Sequence, residues 1–122
     1  MMKQKEEDRK IRVFFLGTPE FAVPSLQILL SNSLFEVVGV ATQPDRPAGR
    51  NMEIQKSNVK VLAEEFSAAK GRLGRKFPIL TPENVNAEEV LREIKRQDAD
   101  VAVVVAYGQI LKPQFLPATQ NP

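Results

Sequence analysis

Thr42-Gln43-Pro44-Asp45-Arg46-Pro47-Ala48-Gly49-Arg50 puts two guanidinium groups on a stretch stiffened by two prolines and released at one glycine. Arginine presents a rigid fork of donors that matches carboxylate or phosphate, and proline limits how far such a loop can wander. Two readings stay open on residue types alone: a working loop facing an anionic partner, or a solvated surface turn. A second group, Ala106-Tyr107-Gly108-Gln109-Ile110-Leu111, combines a ring, a glycine, an amide and two aliphatic side chains. That mixture suits a flat heteroaromatic ligand, with backbone amides at its edge and Ile110 and Leu111 over its face, although the same residues could simply cover a sheet edge. A third, Gly17-Thr18-Pro19-Glu20, argues against a dinucleotide site. It holds a single glycine, Pro19 removes an amide donor, and Glu20 puts negative charge where phosphate would lie.

The chain lacks Cys and His altogether. Disulfides, thiolate nucleophiles, the commonest general base and the commonest metal ligands are therefore excluded, and no metal site is expected. The formal charge is only +2 with 26% charged residues, so contact with nucleic acid would need a local cluster. Lys70, Arg72, Arg75 and Lys76 form one such cluster. Following a helix, they are read first as complementing its negative end, with phosphate contact as the other reading.

These groups need elements to position them, and 122 residues with 43% hydrophobic content suit one core. Residues 1–10 mix both charges without periodic apolar positions and are taken as a flexible charged leader; residues 11–122 form the domain. Ile11 to Leu16 and Glu36 to Thr42 read as strands, and Val101 to Ala106 gives the strongest buried-strand signal. Phe77 to Leu80 is a minimal strand that Pro78 assigns to a sheet edge. Thr18 is expected to cap a helix that becomes regular only near Pro24. Gln43 to Lys56 reads as one long loop; Ser57 or Asn58 then caps a helix sending Val59, Val61, Leu62, Ala63 and Phe66 inward. Asn86 and Glu89 have capping-box spacing for a third helix with Val90, Leu91 and Ile94 on its face. Strands alternating with helices imply a parallel sheet with helices on its faces, and every singled-out group follows a strand, where such sheets bind ligands. The longest apolar run, Val101 to Ala106, is too short to span a bilayer, and a cytoplasmic protein without a membrane partner is expected.

Gly17-Thr18-Pro19-Glu20-Phe21-Ala22-Val23-Pro24, the arginine loop, and Val103 to Leu111 together resemble the methionyl-tRNA formyltransferases, in order and at matching spacing. The resemblance runs from about Ile11 to Pro113 and is weakest from Ala68 to Asn84. It implies an α/β fold with a Rossmann-like parallel sheet and flanking helices, forming an incomplete formyltransferase domain. In that family a formyl group passes from 10-formyltetrahydrofolate to the amino group of methionyl initiator tRNA, in translation initiation. By resemblance, Gly108, Gln109, Ile110 and Leu111 become walls of the folate pocket, with Ala106 and Tyr107 as supporting neighbours. Arg50 matches the arginine of a loop that engages the tRNA acceptor arm, Arg46 is the second tRNA-binding candidate, and Asp45 and Arg46 are expected to fix that loop before RNA arrives. Asn51-Met52-Glu53 departs from the glycine and lysines usual there and places negative charge near RNA.

The family's catalytic Asn, His and Asp have no counterpart here; they lie beyond the last residue of this chain, and Asn121-Pro122 is not their motif. No catalytic residue is assigned, the chain alone is expected to be inactive, and missing carboxyl-terminal sequence is expected. The alternatives are a truncated, noncatalytic folate- or tRNA-binding module, or a fragment of another folate-dependent formyltransferase. Such a half-sheet is expected to expose apolar surface.

Overall fold

The computed structural model describes residues 9–69 and 76–115. β1 (Ile11–Gly17) is the central strand, and from Val13 onward every residue is buried. A strand covered on both faces has no polar face to present, which is why its sequence runs apolar without alternation. It pairs in parallel with β2 (Phe35–Ala41) on one side, and beyond β2 the chain later adds β5 (Ile79–Leu80), also in parallel. β6 (Val101–Val105) pairs in parallel with the other side of β1, giving the order β5-β2-β1-β6. The minimal strand is thus Ile79–Leu80, just after Pro78, and is an edge strand among the described residues, a position that tolerates a nearby proline.

Helices cover both faces. α1 (Val23–Ser31) and α2 (Asn58–Ala69) lie over Val13, Phe15, Val37 and Val40, burying Leu26, Leu29, Val59 and Ala63. α3 (Glu88–Arg96) lies on the opposite face, where Ile94 joins Phe14, Leu16, Val38 and Ala41. Each large apolar side chain buried this way contributes about 1.5–3 kcal/mol. β2 shifts register against β1 between the Val13 and Phe14 partners, so Val37 and Val40 share a face, as do Val38 and Ala41. At the amino-terminal end, the Arg12 guanidinium donates to the carbonyls of Gln97 (2.7 Å) and Asp98 (3.0 Å), closing the carboxyl end of α3 against β1.

Several expectations are corrected. A 3₁₀ turn, Glu20–Ala22, precedes α1, whose first turn accommodates Pro24; Thr18 caps neither. Val61 is 42% exposed because the inward stripe of α2 runs through Val59, Leu62, Ala63 and Phe66, and Val61 falls outside that spacing. Asn86 does not cap α3; the residue before that helix is Ala87, without a side-chain cap. Gln43 to Lys56 is not one loop but contains an antiparallel hairpin, β3 (Arg46–Ala48) and β4 (Glu53–Gln55). The most apolar strand, β6, is an edge strand among the described residues, leaving Val101 and Val104 exposed by 43% and 46%. The cluster at Lys70, Arg72 and Arg75 and residues 1–8 of the leader fall outside the described residues.

Candidate functional site

All four parallel strands deliver their following residues to one end of the sheet, and there four turns meet. Thr18, just after β1, donates its hydroxyl to the Tyr107 carbonyl at 2.6 Å and accepts the Gln43 N–H at 3.3 Å. One small side chain thereby joins the exits of β1, β2 and β6. Gln109 is turned inward. Its Oε1 accepts the Val85 N–H at 2.7 Å, and its Nε2 donates to Gln43 Oε1 at 2.9 Å and to the Pro82 carbonyl at 3.0 Å. Gln43 Nε2 in turn donates to the Gly108 carbonyl at 3.1 Å. Asn86 holds the outer part of the same loop, donating to the Ile110 carbonyl at 2.8 Å and accepting the Lys112 N–H at 2.9 Å.

The loop after β6 is bent to fit. Ala106 has φ +50° and Gly108 φ +107°, so the chain enters the left-handed region twice within three residues. Gly108 suits its positive φ, and a Cβ there would lie 2.6 Å from Gln43 Nε2 and displace that amide. Between them Tyr107 points into the core, only 2% exposed, with no partner for its hydroxyl among the described residues. Burial pushes its pKa up to about 12. Ile110 is 83% exposed, Leu111 packs partly against the core, and neither backbone N–H is engaged by a described residue. Free amide donors beside an aliphatic side chain can grip the edge and face of a flat heterocycle.

Beside this loop stands the hairpin. Gly49 at φ +79° and Met52 at φ +54° form its turn, with the Met52 N–H bonded to the Gly49 carbonyl at 3.2 Å. Its root is fastened to α2: Lys60 Nζ donates to both Asp45 oxygens at 3.0 and 3.1 Å, and the Thr42 and Ser57 hydroxyls lie 2.6 Å apart. Ser57 also caps α2 by accepting the Lys60 N–H at 2.9 Å. Lys56 is held by Glu64 at 2.8 Å, and that hydrogen bond and charge raise its pKa above the ordinary value. Arg46 reaches Glu83 only at 3.9 Å with both side chains exposed, a weak contact. Arg50 stands at the exposed tip and makes no hydrogen bond or ion pair to a described residue, with Met52 and Ile54 exposed nearby in sequence. Thr18, Gln43, Pro44, Arg46, Gln55, Lys56 and Ser57 line a cleft of about 270 Å³ between hairpin root and sheet.

Gly108, Gln109, Ile110 and Leu111 therefore form one continuous loop, but Gln109 spends its amide inside the protein and only its neighbours offer a surface. Arg46 and Arg50 share one hairpin, and Asp45 fixes it through Lys60. Thr18, Gln43 and Asn86 were missed as organisers of the site. Nothing local in the sequence distinguishes them, since their partners lie 24 to 89 positions away. Among the described residues, no group of three or more acidic side chains is placed to hold a metal ion, and no helix is long and apolar enough to cross a membrane.

An open parallel sheet with helices on both faces, and with a strained loop and an arginine-bearing hairpin at its carboxyl end, defines a Rossmann-like α/β domain. The chain belongs to the Formyl transferase family, whose pattern it matches over residues 9–122. It is 54% identical over 108 residues to the methionyl-tRNA formyltransferase of Bdellovibrio bacteriovorus, covering 88% of this chain and 31% of that protein. It is 49% identical to that of Synechococcus sp. strain JA-3-3Ab (87% and 31%) and 40% identical to that of Thermotoga sp. strain RQ2 (87% and 31%). The chain spans about a third of the length of these relatives.

Proposed function

We propose that this chain supplies the folate-facing wall and the tRNA-contacting hairpin of a methionyl-tRNA formyltransferase, which moves formyl from 10-formyltetrahydrofolate to the amino group of methionyl initiator tRNA. The observation that carries this reading is the meeting, at one end of the sheet, of the Gly108–Leu111 loop and the hairpin bearing Arg46 and Arg50, in a chain similar to enzymes of that name. In this reading the Ile110 and Leu111 N–H groups receive the edge of the pterin, and Ile110 covers its face. Arg50 meets phosphate or stacks on a base of the acceptor arm, and Arg46 adds charge once its loose contact with Glu83 is released.

Formyl transfer to an amine requires loss of a proton from the attacking ammonium and stabilisation of the tetrahedral oxyanion. The chain holds no His, and nothing in it matches the family's catalytic Asn-x-His segment. Its own residues bind and orient, and do not complete the reaction. Purified chain, supplied with 10-formyltetrahydrofolate and methionyl initiator tRNA, is expected to give no formyl-methionyl-tRNA above a protein-free control. Turnover above that control contradicts this division of labour. Glu53, which places negative charge beside the RNA-facing tip, favours a second reading as a folate-binding module with little RNA affinity. Comparing tRNA and folate affinities separates the two.

A further inference from the structure

Gln109 and Gln43 satisfy one another and the turns around them so completely that little of either carboxamide is left for a ligand. Gln109 uses its oxygen on the Val85 N–H and both amide hydrogens, one on Gln43 Oε1 and one on the Pro82 carbonyl. Gln43 closes the circuit by donating to the Gly108 carbonyl, and its backbone N–H is held by Thr18. A Cβ on Gly108 would come within 2.6 Å of Gln43 Nε2, so the two loops lie close in packing as well as in hydrogen bonding. Gln43 is also the root of the hairpin, two residues before Asp45.

We propose that the Gln43–Gln109 pair is a positioning latch which sets the Gly108–Leu111 loop and the Arg46–Gln55 hairpin as one unit, so that ligands on the two surfaces bind with positive coupling. This rests on the functional reading above for the identity of the ligands, but the latch itself does not. The circuit has no slack: rotating either amide by half a turn sets oxygen against oxygen at Gln43 Oε1, Pro82 or Gly108. Opening the circuit would release Gly108 and Gln109, and a hairpin fixed on RNA makes such openings rarer, so the folate-facing loop spends more of its time ordered before its ligand arrives. By linkage, the effect must be reciprocal.

The test has two arms on this chain, with Gln43→Met and Gln43→Glu as variants and the exposed Gln27→Met on α1 as control. Without ligand, ¹⁵N NMR follows the Gln109 carboxamide and hydrogen exchange at residues 108–111. Both Gln43 variants are expected to shift the Gln109 resonances and to speed exchange about three- to tenfold, while the control leaves both unchanged. Unchanged Gln109 resonances in a folded Gln43 variant overturn the latch, whatever the ligands do. In the second arm, affinity for 5-formyltetrahydrofolate is measured with and without a synthetic acceptor-stem RNA hairpin. The wild-type chain is expected to bind the folate about fivefold or more tightly with RNA present, and Gln43→Met to lose that difference. Equal affinities in the wild type overturn the coupling. Failure of either probe to bind alone refutes the functional reading instead, and the first arm then decides the latch by itself.

Discussion

Tyr107 buries a phenol hydroxyl that has no hydrogen-bond partner among the described residues, and an unpaired buried hydroxyl costs roughly 1–3 kcal/mol. Tyr107→Phe removes the oxygen and keeps the ring, so chemical denaturation is expected to show a gain of about 1 kcal/mol; a loss would reveal an unrecognised partner. The same burial makes stability depend on alkaline pH. Below the ordinary phenol value of 10.0 the group is neutral whether folded or unfolded and contributes no pH dependence. Between there and about 12 the unfolded chain gives up its proton first, so stability falls by about 2–3 kcal/mol across that window, and Tyr107→Phe should abolish this fall. Arg50 is a different case, an exposed guanidinium at the hairpin tip without a partner among the described residues. Arg50→Ala is expected to leave thermal stability unchanged while lowering tRNA affinity and reducing the salt slope of binding by about one. Unchanged affinity and slope would remove Arg50 from the RNA contact. Arg50 and Gly108 stood out through motifs that resemble the formyltransferases, since residue types alone left a solvated turn and a sheet-edge cover open. Asn86 did not: its spacing to Glu89 is that of a capping box, and only the fold shows that its amide bonds the chain at Ile110 and Lys112.

At the scale of elements, the hairpin is held at its root and free at its tip. The Asp45–Lys60 pair is mostly shielded, with side-chain exposures of 29% and 17%, and both carboxylate oxygens are engaged. Asp45→Asn leaves Lys60 with an uncompensated charge and is expected to cost about 1 kcal/mol and to speed hydrogen exchange across Arg46–Gln55 more than in β1. Uniform acceleration throughout the chain would mean that the pair supports the whole fold and not the hairpin. Strands and helices were mostly legible, because a two-sided buried strand such as β1 and a helix stripe such as Val59, Leu62, Ala63 and Phe66 leave clear patterns. The hairpin was not. Its strands are three residues each, one contains Pro47 and the other is exposed throughout, so no apolar alternation marks them. β6 misled in the opposite way: its composition is that of a strand covered on both faces, yet β1 is its only strand neighbour among the described residues.

On the scale of the whole molecule, side-chain hydrogen bonds tie the sheet together at both of its ends. Arg12 ties β1 to the end of α3 on the far side, while Thr18, Gln43 and Gln109 gather the strand exits on the near side. Parallel strands put their exits on one side, since every crossover returns the chain to the same starting edge. The arginine-bearing stretch and the loop after β6 were visible in the sequence as separate motifs. Their adjacency was not, because it depends on strand order, and β1 lies centrally although it comes first.

The most direct test of the central claim is a ¹⁵N NMR titration of this chain with 5-formyltetrahydrofolate, a stable reduced folate. The largest shifts are expected at Gly108, Ile110 and Leu111, with smaller ones at Thr18 and Gln43 and none near Arg12. A response confined to the hairpin or to the far end of the sheet, or no saturable response at all, would contradict the assignment of the loop after β6 as the folate-facing wall.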